Sequence, residues 1–375
     1  MSKKLSYTIT LALVIVSCGL TYLIEEYIHH RISQTTNQTI ALIEENNSSG
    51  SLELKENSFK KYIFIKPHSL IEIKYESPTF NGLKEKLNNY IESLKNAKKL
   101  INASVYVRYY GQGTQMSLNP NETYSPGSMF KVVNLMLYLK WSEQNQGLLD
   151  KKMVYNTPSY PIPVQTFNSR QIETGKEYTI KELLKYMVVS SDNKATTWLV
   201  ANMGSDLYFK MMNDLNISKE HTKEGLPLMT VSQYSQIMRL LYRSTYLTKE
   251  NSEFALSLLN QSDFSLGLLK GLPGNINVAH KFGEAGTKRE PELHESGIVY
   301  LDYGPYLITI MTKGYKIDDL PPVISTISKM VYDDISNKEE CKSFPLYQPF
   351  VGLRNVLVSF VALICKLAVI LTIYY

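Results

Sequence analysis

Cysteine is scarce in this sequence: Cys18, Cys341 and Cys365 are the three among 375 residues. They cannot build a disulfide framework, and no Cys-x-x-Cys pair offers a zinc site. The six histidines include no His-Glu-x-x-His, so a metal-centred mechanism lacks ligands at a recognisable spacing and no cofactor is expected. Charge of one sign is also lacking. Lys+Arg 40 against Asp+Glu 35 gives +5, and the basic residues are scattered rather than gathered into a stripe. That is too mild and diffuse for a nucleic-acid partner. Apolar residues are plentiful: 44% hydrophobic against 20% charged residues excludes a wholly disordered chain and allows a sizeable core. The length fits one large domain or two small ones, and no internal repeat is visible.

Long uncharged apolar stretches sit at the two ends. Lys3 and Lys4 precede a run from Leu5 to Ile24 without charge, and roughly 20 apolar residues span a bilayer core. The basic flank places the N-terminus in the cytoplasm and exports the chain beyond the run. A retained anchor over 5–24 is expected. The competing readings are a cleaved signal peptide and, from Ile15-Val16-Ser17-Cys18, a lipoprotein end at Cys18. At the other end, 356–375 is apolar except for Lys366 near its middle. An ammonium at that depth costs about 2.5–3.5 kcal/mol. A second span is favoured over an interfacial helix or a docked tail. Two spans put the chain in the cell membrane with its middle outside the cytoplasm.

Residues 25–81 read as a stalk, with Asn46-Asn47-Ser48-Ser49-Gly50-Ser51 as a flexible tract. Tyr62 to Ile65 and Leu70 to Tyr75 are short β-like runs that predict a small hairpin about Pro67. From Leu83 the pattern sharpens. Leu83, Leu87, Tyr90, Ile91 and Leu94 share one helical face. Residues 103–110 read as a strand, turned by Gly111-Gln112-Gly113, and 114–118 return. A helical block comes next, from Ser128 to about Gly147, then a helix opened by the capping-box pair Thr179 and Glu182, then further helices over 194–202, 205–215, 231–244 and 249–260. Strand signals resume at 277–282, 297–301 and 306–312, and Pro321-Pro322 opens a final helix to about Ile335. This order predicts an α+β domain over 82–335: one antiparallel sheet flanked by helices, an all-helical lobe, and a cleft between them. Residues 336–355 read as a linker to the C-terminal run.

Three segments carry candidate chemistry. Ser128 and Lys131 stand three apart where a loop enters a helix, so they share a face. A serine hydroxyl attacks only when a base removes its proton, and lysine is that base only when desolvation or a second cation lowers its pKa. Taken alone, Ser-x-x-Lys is usually an exposed helix start. Ser190-Ser191-Asp192-Asn193 joins two helices and fits simple capping. Its functional reading makes Ser191 a proton shuttle and Asn193 a holder of a substrate amide. His280-Lys281-Phe282-Gly283-Glu284 ends a strand in small residues. Lys281 is expected to bind a substrate carboxylate and to lower the pKa of Lys131, and Gly283 to let a substrate backbone lie against the strand.

In this order, Ser-x-x-Lys, Ser-Asp-Asn and Lys-x-Gly resemble the serine β-lactamase and penicillin-binding-protein superfamily. Detail is most similar to the class A β-lactamases, in Tyr124-Ser125-Pro126-Gly127-Ser128-Met129-Phe130-Lys131-Val132, in Gly271-Leu272-Pro273-Gly274 and in His294 to Tyr300. The resemblance covers 82–335. It implies Ser128 as nucleophile, Lys131 and Ser191 in proton transfer, Asn193, Lys281 and Gly283 in substrate binding, and the backbone N–H groups of Ser128 and Glu284 as an oxyanion hole. Two departures stand out. Phe282 occupies the position of the family's hydroxyl residue, and 216–229 contain no Glu-x-x-x-Asn. Glu224, with Glu220 as second choice, is the remaining candidate for activating the deacylating water. The expectation is a serine acylated by a β-lactam or a peptidoglycan peptide faster than it is cleared. A D-alanyl peptidase and a non-catalytic sensor are the alternatives.

Overall fold

A computed structural model describes residues 62–65, 76–167, 169–215, 217 and 226–343. The expected end spans, most of the stalk, residues 70–75, Glu220 and Glu224 lie outside the described residues. Among the described residues no helix is long and apolar enough to cross a membrane.

Helix α1 (Asn81–Asn96) comes after a short 3-10 turn capped by the Ser77 hydroxyl. It buries Leu83, Leu87 and Ile91, the stripe its spacing demands. Strands β1 (Leu100–Tyr109) and β2 (Thr114–Leu118) form a hairpin, and β5 (Asn277–Gly286), β6 (Pro291–Tyr300) and β7 (Tyr306–Gly314) a meander. All five join one antiparallel sheet in the order β2-β1-β7-β6-β5, because β1 pairs with β7 from Leu100 opposite Gly314 to Tyr109 opposite Tyr306. The sheet is thus closed by residues from both ends of the domain, as the sequence order predicts.

Period-two alternation sorts the strands onto two cores. Val105, Val107 and Tyr109 join α1 and the final helix, α8 (Leu320–Ser343), on one face; Tyr106 joins the helical lobe on the other. That lobe is α2 (Lys131–Ser142), α3 (Ile180–Val189), α4 (Asn193–Ala201), α5 (Ser205–Asp214), α6 (Val231–Arg243) and α7 (Lys249–Leu259). Helix α2 is buried on every side from Lys131 to Leu139, so it forms the lobe's axis. Each such leucine contributes about 1.5–3 kcal/mol by leaving water. The capping box at Thr179 and Glu182 forms with both its hydrogen bonds and opens α3.

Several expectations need correction. Tyr62–Ile65 is irregular, not a strand. Three main-chain N–H groups, of Ile63, Phe64 and Ile65, donate to the Glu253 carboxylate on α7. That bonding needs no strand partner. Strand β6 begins at Pro291, well before the expected 297, and α8 continues past Ile335. Two short strands, β3 (Lys152–Val154) and β4 (Glu177–Thr179), pair across an unforeseen crossing of the chain.

Candidate active site

Ser128 lies in a 3-10 turn, Gly127–Phe130, that runs directly into α2. Two glycines let this turn press against edge strand β5. Gly127 has φ +52°, and a Cβ there would stand 2.0 Å from Glu284 O. A Cβ on Gly283 would stand 2.3 Å from Pro126 O and 2.6 Å from Met129 N. Only glycine permits either approach. Gly283 therefore lets the strand pack closely against the turn that carries Ser128. The same contact sets the main chain of Ser128 beside that of Glu284, the two expected oxyanion donors.

The turn is gripped from other sides. Tyr234 on α6 donates its hydroxyl to Met129 O at 2.9 Å. On β6, His294 Nδ1 accepts from Thr312 N–H, so Nε2 carries the proton and donates to Ser125 O at 2.9 Å. Glu292 accepts from Ser125 N–H at 3.1 Å. Both main-chain polar groups of Ser125 are thus held by side chains of one strand.

Lys131, one turn beyond Ser128, is 4% exposed. Its Nζ donates to Ser191 O at 2.5 Å, Ser191 Oγ at 3.3 Å and Asn193 Oδ1 at 2.7 Å. Burial pushes its pKa down to about 7, against the opposing pull of Asp192 and Glu284. Lys281 is fully buried, and its Nζ donates to Ser191 Oγ at 2.8 Å and Phe282 O at 2.9 Å, 4.1 Å from the centre of the Phe282 ring. Burial first, and the charge on Lys131 second, hold it well below the ordinary lysine value. Burial is the first cause for both amines. Lys281 therefore stands behind Ser191, with its amine buried.

Ser191 connects the two amines through one hydroxyl. It is fully buried and non-glycine at φ +54°, a conformation that costs about 1–3 kcal/mol. Asp192 holds it there: its carboxylate caps α4 at Lys194 N–H and accepts from Ile172 N–H, both at 2.8 Å. The capping reading of Ser-Asp-Asn is met by Asp192, while Ser191 and Asn193 both accept from the Lys131 amine.

Ser128, Lys131, Asn193 and Glu284 line one cavity of about 1060 Å³, with walls from the helical lobe and from β5. Sequence reasoning missed one residue there. Gln165 Oε1 accepts from Ser128 Oγ at 3.4 Å, and its Nε2 donates to Ser191 O at 3.0 Å. Nearby prolines (Pro158, Pro161, Pro163) signal extended chain, but nothing in the pattern marks Gln165. Phe282, the family-atypical residue, turns away from the cavity and stacks on Phe264 with ring centres 4.2 Å apart. Among the described residues no acidic, His or Cys cluster has the form of a metal site.

An antiparallel sheet, a helical lobe and a serine at the helix start between them define the β-lactamase-type α+β fold of serine hydrolases. The chain belongs to the beta-lactamase enzyme family, whose sequence pattern matches residues 82–335, and so to the serine β-lactamase and penicillin-binding-protein superfamily. Among solved structures it is similar to PBP-A (TM-score 0.59, 16% identity, 71% of this chain and 100% of that one). It is also similar to a PBP-A mutant solved as an acyl-enzyme complex with penicillin G (0.56, 16%, 68% and 97%). A third is a class A beta-lactamase from Bacteroides cellulosilyticus (0.57, 20%, 68% and 98%). At these identities the likeness is one of fold. No curated protein matches the chain.

Proposed function

We propose that this chain is a membrane-anchored, extracytoplasmic serine hydrolase, acylated at Ser128 by β-lactams or related amides and slow to deacylate. The observation that carries the reading is a buried amine of pKa about 7, Lys131, one turn from a serine in the same cavity and linked through Ser191 to a second buried amine. In acylation, neutral Lys131 takes the proton of Ser128 Oγ as the oxygen bonds to the carbonyl carbon. The N–H groups of Ser128 and Glu284 receive the negative oxygen. Ser191, fed by the lysines on either side, returns a proton to the departing nitrogen while the amide bond breaks. Asn193 holds the substrate's side-chain amide, and Lys281 sets the charge behind Ser191.

Clearing the acyl group needs an activated water. The sequence offers no Glu-x-x-x-Asn for it between 216 and 229, and Glu224 is the base proposed in its place. That absence equally favours a D-alanyl peptidase that hands its acyl group to an amine. Anchoring rests on the apolar runs 5–24 and 356–375. Intact-protein mass spectrometry after exposure to penicillin tests the reading. The expected result is one adduct that persists for minutes and is lost in Ser128→Ala. No adduct at high drug concentration removes the enzyme and leaves a sensor. Released D-alanine from D-alanyl peptides selects the peptidase. Protease protection in intact cells tests the topology.

A further inference from the structure

Between Tyr155 and Lys176 the chain leaves the small β3–β4 sheet and returns to it, and on the way Pro163–Phe167 lies across the catalytic groove. The strap is tied to both walls. On the lobe side, Pro163 O accepts from Asn193 Nδ2 at 2.7 Å, and the Gln165 carboxamide bridges Ser128 Oγ and Ser191 O. On the sheet side, the N–H groups of Thr166 and Phe167 both donate to the Glu284 carboxylate at 2.7 Å.

These ties are unequal. The two to Glu284 are short and charge-assisted, whereas the bond from Ser128 to Gln165 is long. The strap is therefore held from the strand, and the carboxamide rests lightly on the nucleophile. Its chemistry is that of the group the site is proposed to attack: an amide whose oxygen meets Ser128 and whose nitrogen meets the Ser191 segment. An acyl donor must put its own carbonyl where that carboxamide sits. A compact amide replaces both bonds of Gln165 by swinging one side chain aside. A donor with a large substituent also needs the Glu284 ties to part.

We propose that Gln165 is a specificity-determining residue, a resident amide that every acyl donor displaces, and that the Glu284 carboxylate latches the strap that carries it. This rests on Ser128 being the nucleophile. It gives the Glu284 side chain a role separate from that of its backbone N–H, and it selects for compact acyl donors.

Two reagents separate the claims on the full chain. Fluorescent penicillin is a bulky acyl donor, and phenylmethylsulfonyl fluoride is a small serine reagent. In Gln165→Ala, labelling of Ser128 by the penicillin is expected to rise roughly tenfold, the factor that loss of one competing hydrogen bond of ordinary strength gives. Labelling by the small reagent is expected to rise less. Equal rates for wild type and variant with both reagents, or a fall in the variant, overturn the resident amide while Ser128 stands. No label on either protein with either reagent overturns the nucleophile and the proposal together. The latch has its own readout, needing no chemistry at Ser128: hydrogen exchange at the Thr166 and Phe167 amides is expected to quicken in Glu284→Gln. Unchanged exchange there refutes it.

Discussion

At the scale of single residues, the site is a contest between burial and charge on Lys131. Asp192 and Glu284 favour the ammonium, yet desolvation wins and leaves the pKa at about 7. The catalytic consequence has a definite sign. A base of pKa about 7 is mostly neutral at pH 8 and mostly protonated at pH 6, so the rate of Ser128 acylation is expected to climb about tenfold across that interval. Stopped-flow labelling with a chromogenic β-lactam measures it, and a flat profile removes Lys131 from the base's role. The same shift acts on stability. An unfolded lysine titrates near 10.5, so between about 7 and 10.5 the unfolded chain binds more protons than the folded one. Stability from this group therefore rises with pH through that window, and its cost is greatest at and below pH 7. Replacing Lys131 with Met removes the cost, on the order of a few kcal/mol near pH 7, although it strips Ser191 O and Asn193 Oδ1 of a donor. The stability of Lys131→Met relative to wild type is expected to decline as pH rises from 7 to 10. Parallel denaturation curves across that range would contradict the assignment.

At the scale of elements, the turn that carries Ser128 is fixed because three neighbours hold it: β5 through two glycines, α6 through Tyr234, and β6 through His294 and Glu292. Gly283→Ala is expected to push β5 from the turn, since its Cβ would meet the main-chain atoms Pro126 O and Met129 N. The expected result is a fall in acylation of roughly 10²-fold, the scale set by losing one oxyanion donor, with a loss of about 1–3 kcal/mol in stability from overpacking. Acylation kinetics beside a melting curve check both, and wild-type labelling in the variant would show that strand and turn are not coupled. These grips also show where sequence was readable. The stripe of α1, the apolar α2 and the capping box at Thr179 are local signals, and each became the element it predicted. The first half of β6 was not readable. Glu292, His294, Glu295 and Ser296 are buried there against Ser125, His280 and Thr309, and polar residues break the alternation that marks a strand. Ser128, Lys131, Ser191 and Asn193 were legible because their spacing is motif-like. Gln165 was not, because its position depends on a crossing in which its neighbour Thr166 bonds Glu284, 118 positions further on, and no local pattern encodes that bond.

At the scale of the whole domain, the sheet is completed by segments far apart in sequence, and residues 62–65 dock on the domain from outside it. Tyr62–Ile65, expected as one arm of a small hairpin, is bonded to the lobe by the Glu253 carboxylate and to β6 by the Tyr300 hydroxyl, which donates to Phe64 O at 2.9 Å. Ile65 is buried, and Phe64 meets the Tyr300 ring edge-on. A carboxylate accepting three main-chain N–H groups is worth more than a surface ion pair, because the bonds are charge-assisted and their loss leaves donors unpaired. Glu253→Ala is therefore expected to destabilise the full chain by about 1–3 kcal/mol. In a chain starting at Glu76, which lacks the docked segment, the same substitution has nothing to release and its cost is expected to fall within about 0.5 kcal/mol of zero. Chemical denaturation of the four proteins closes the cycle. Equal costs in both backgrounds would mean that Glu253 supports α7 alone and that the stalk is only a tether. A cost confined to the longer chain makes residues 62–65 part of the folded domain.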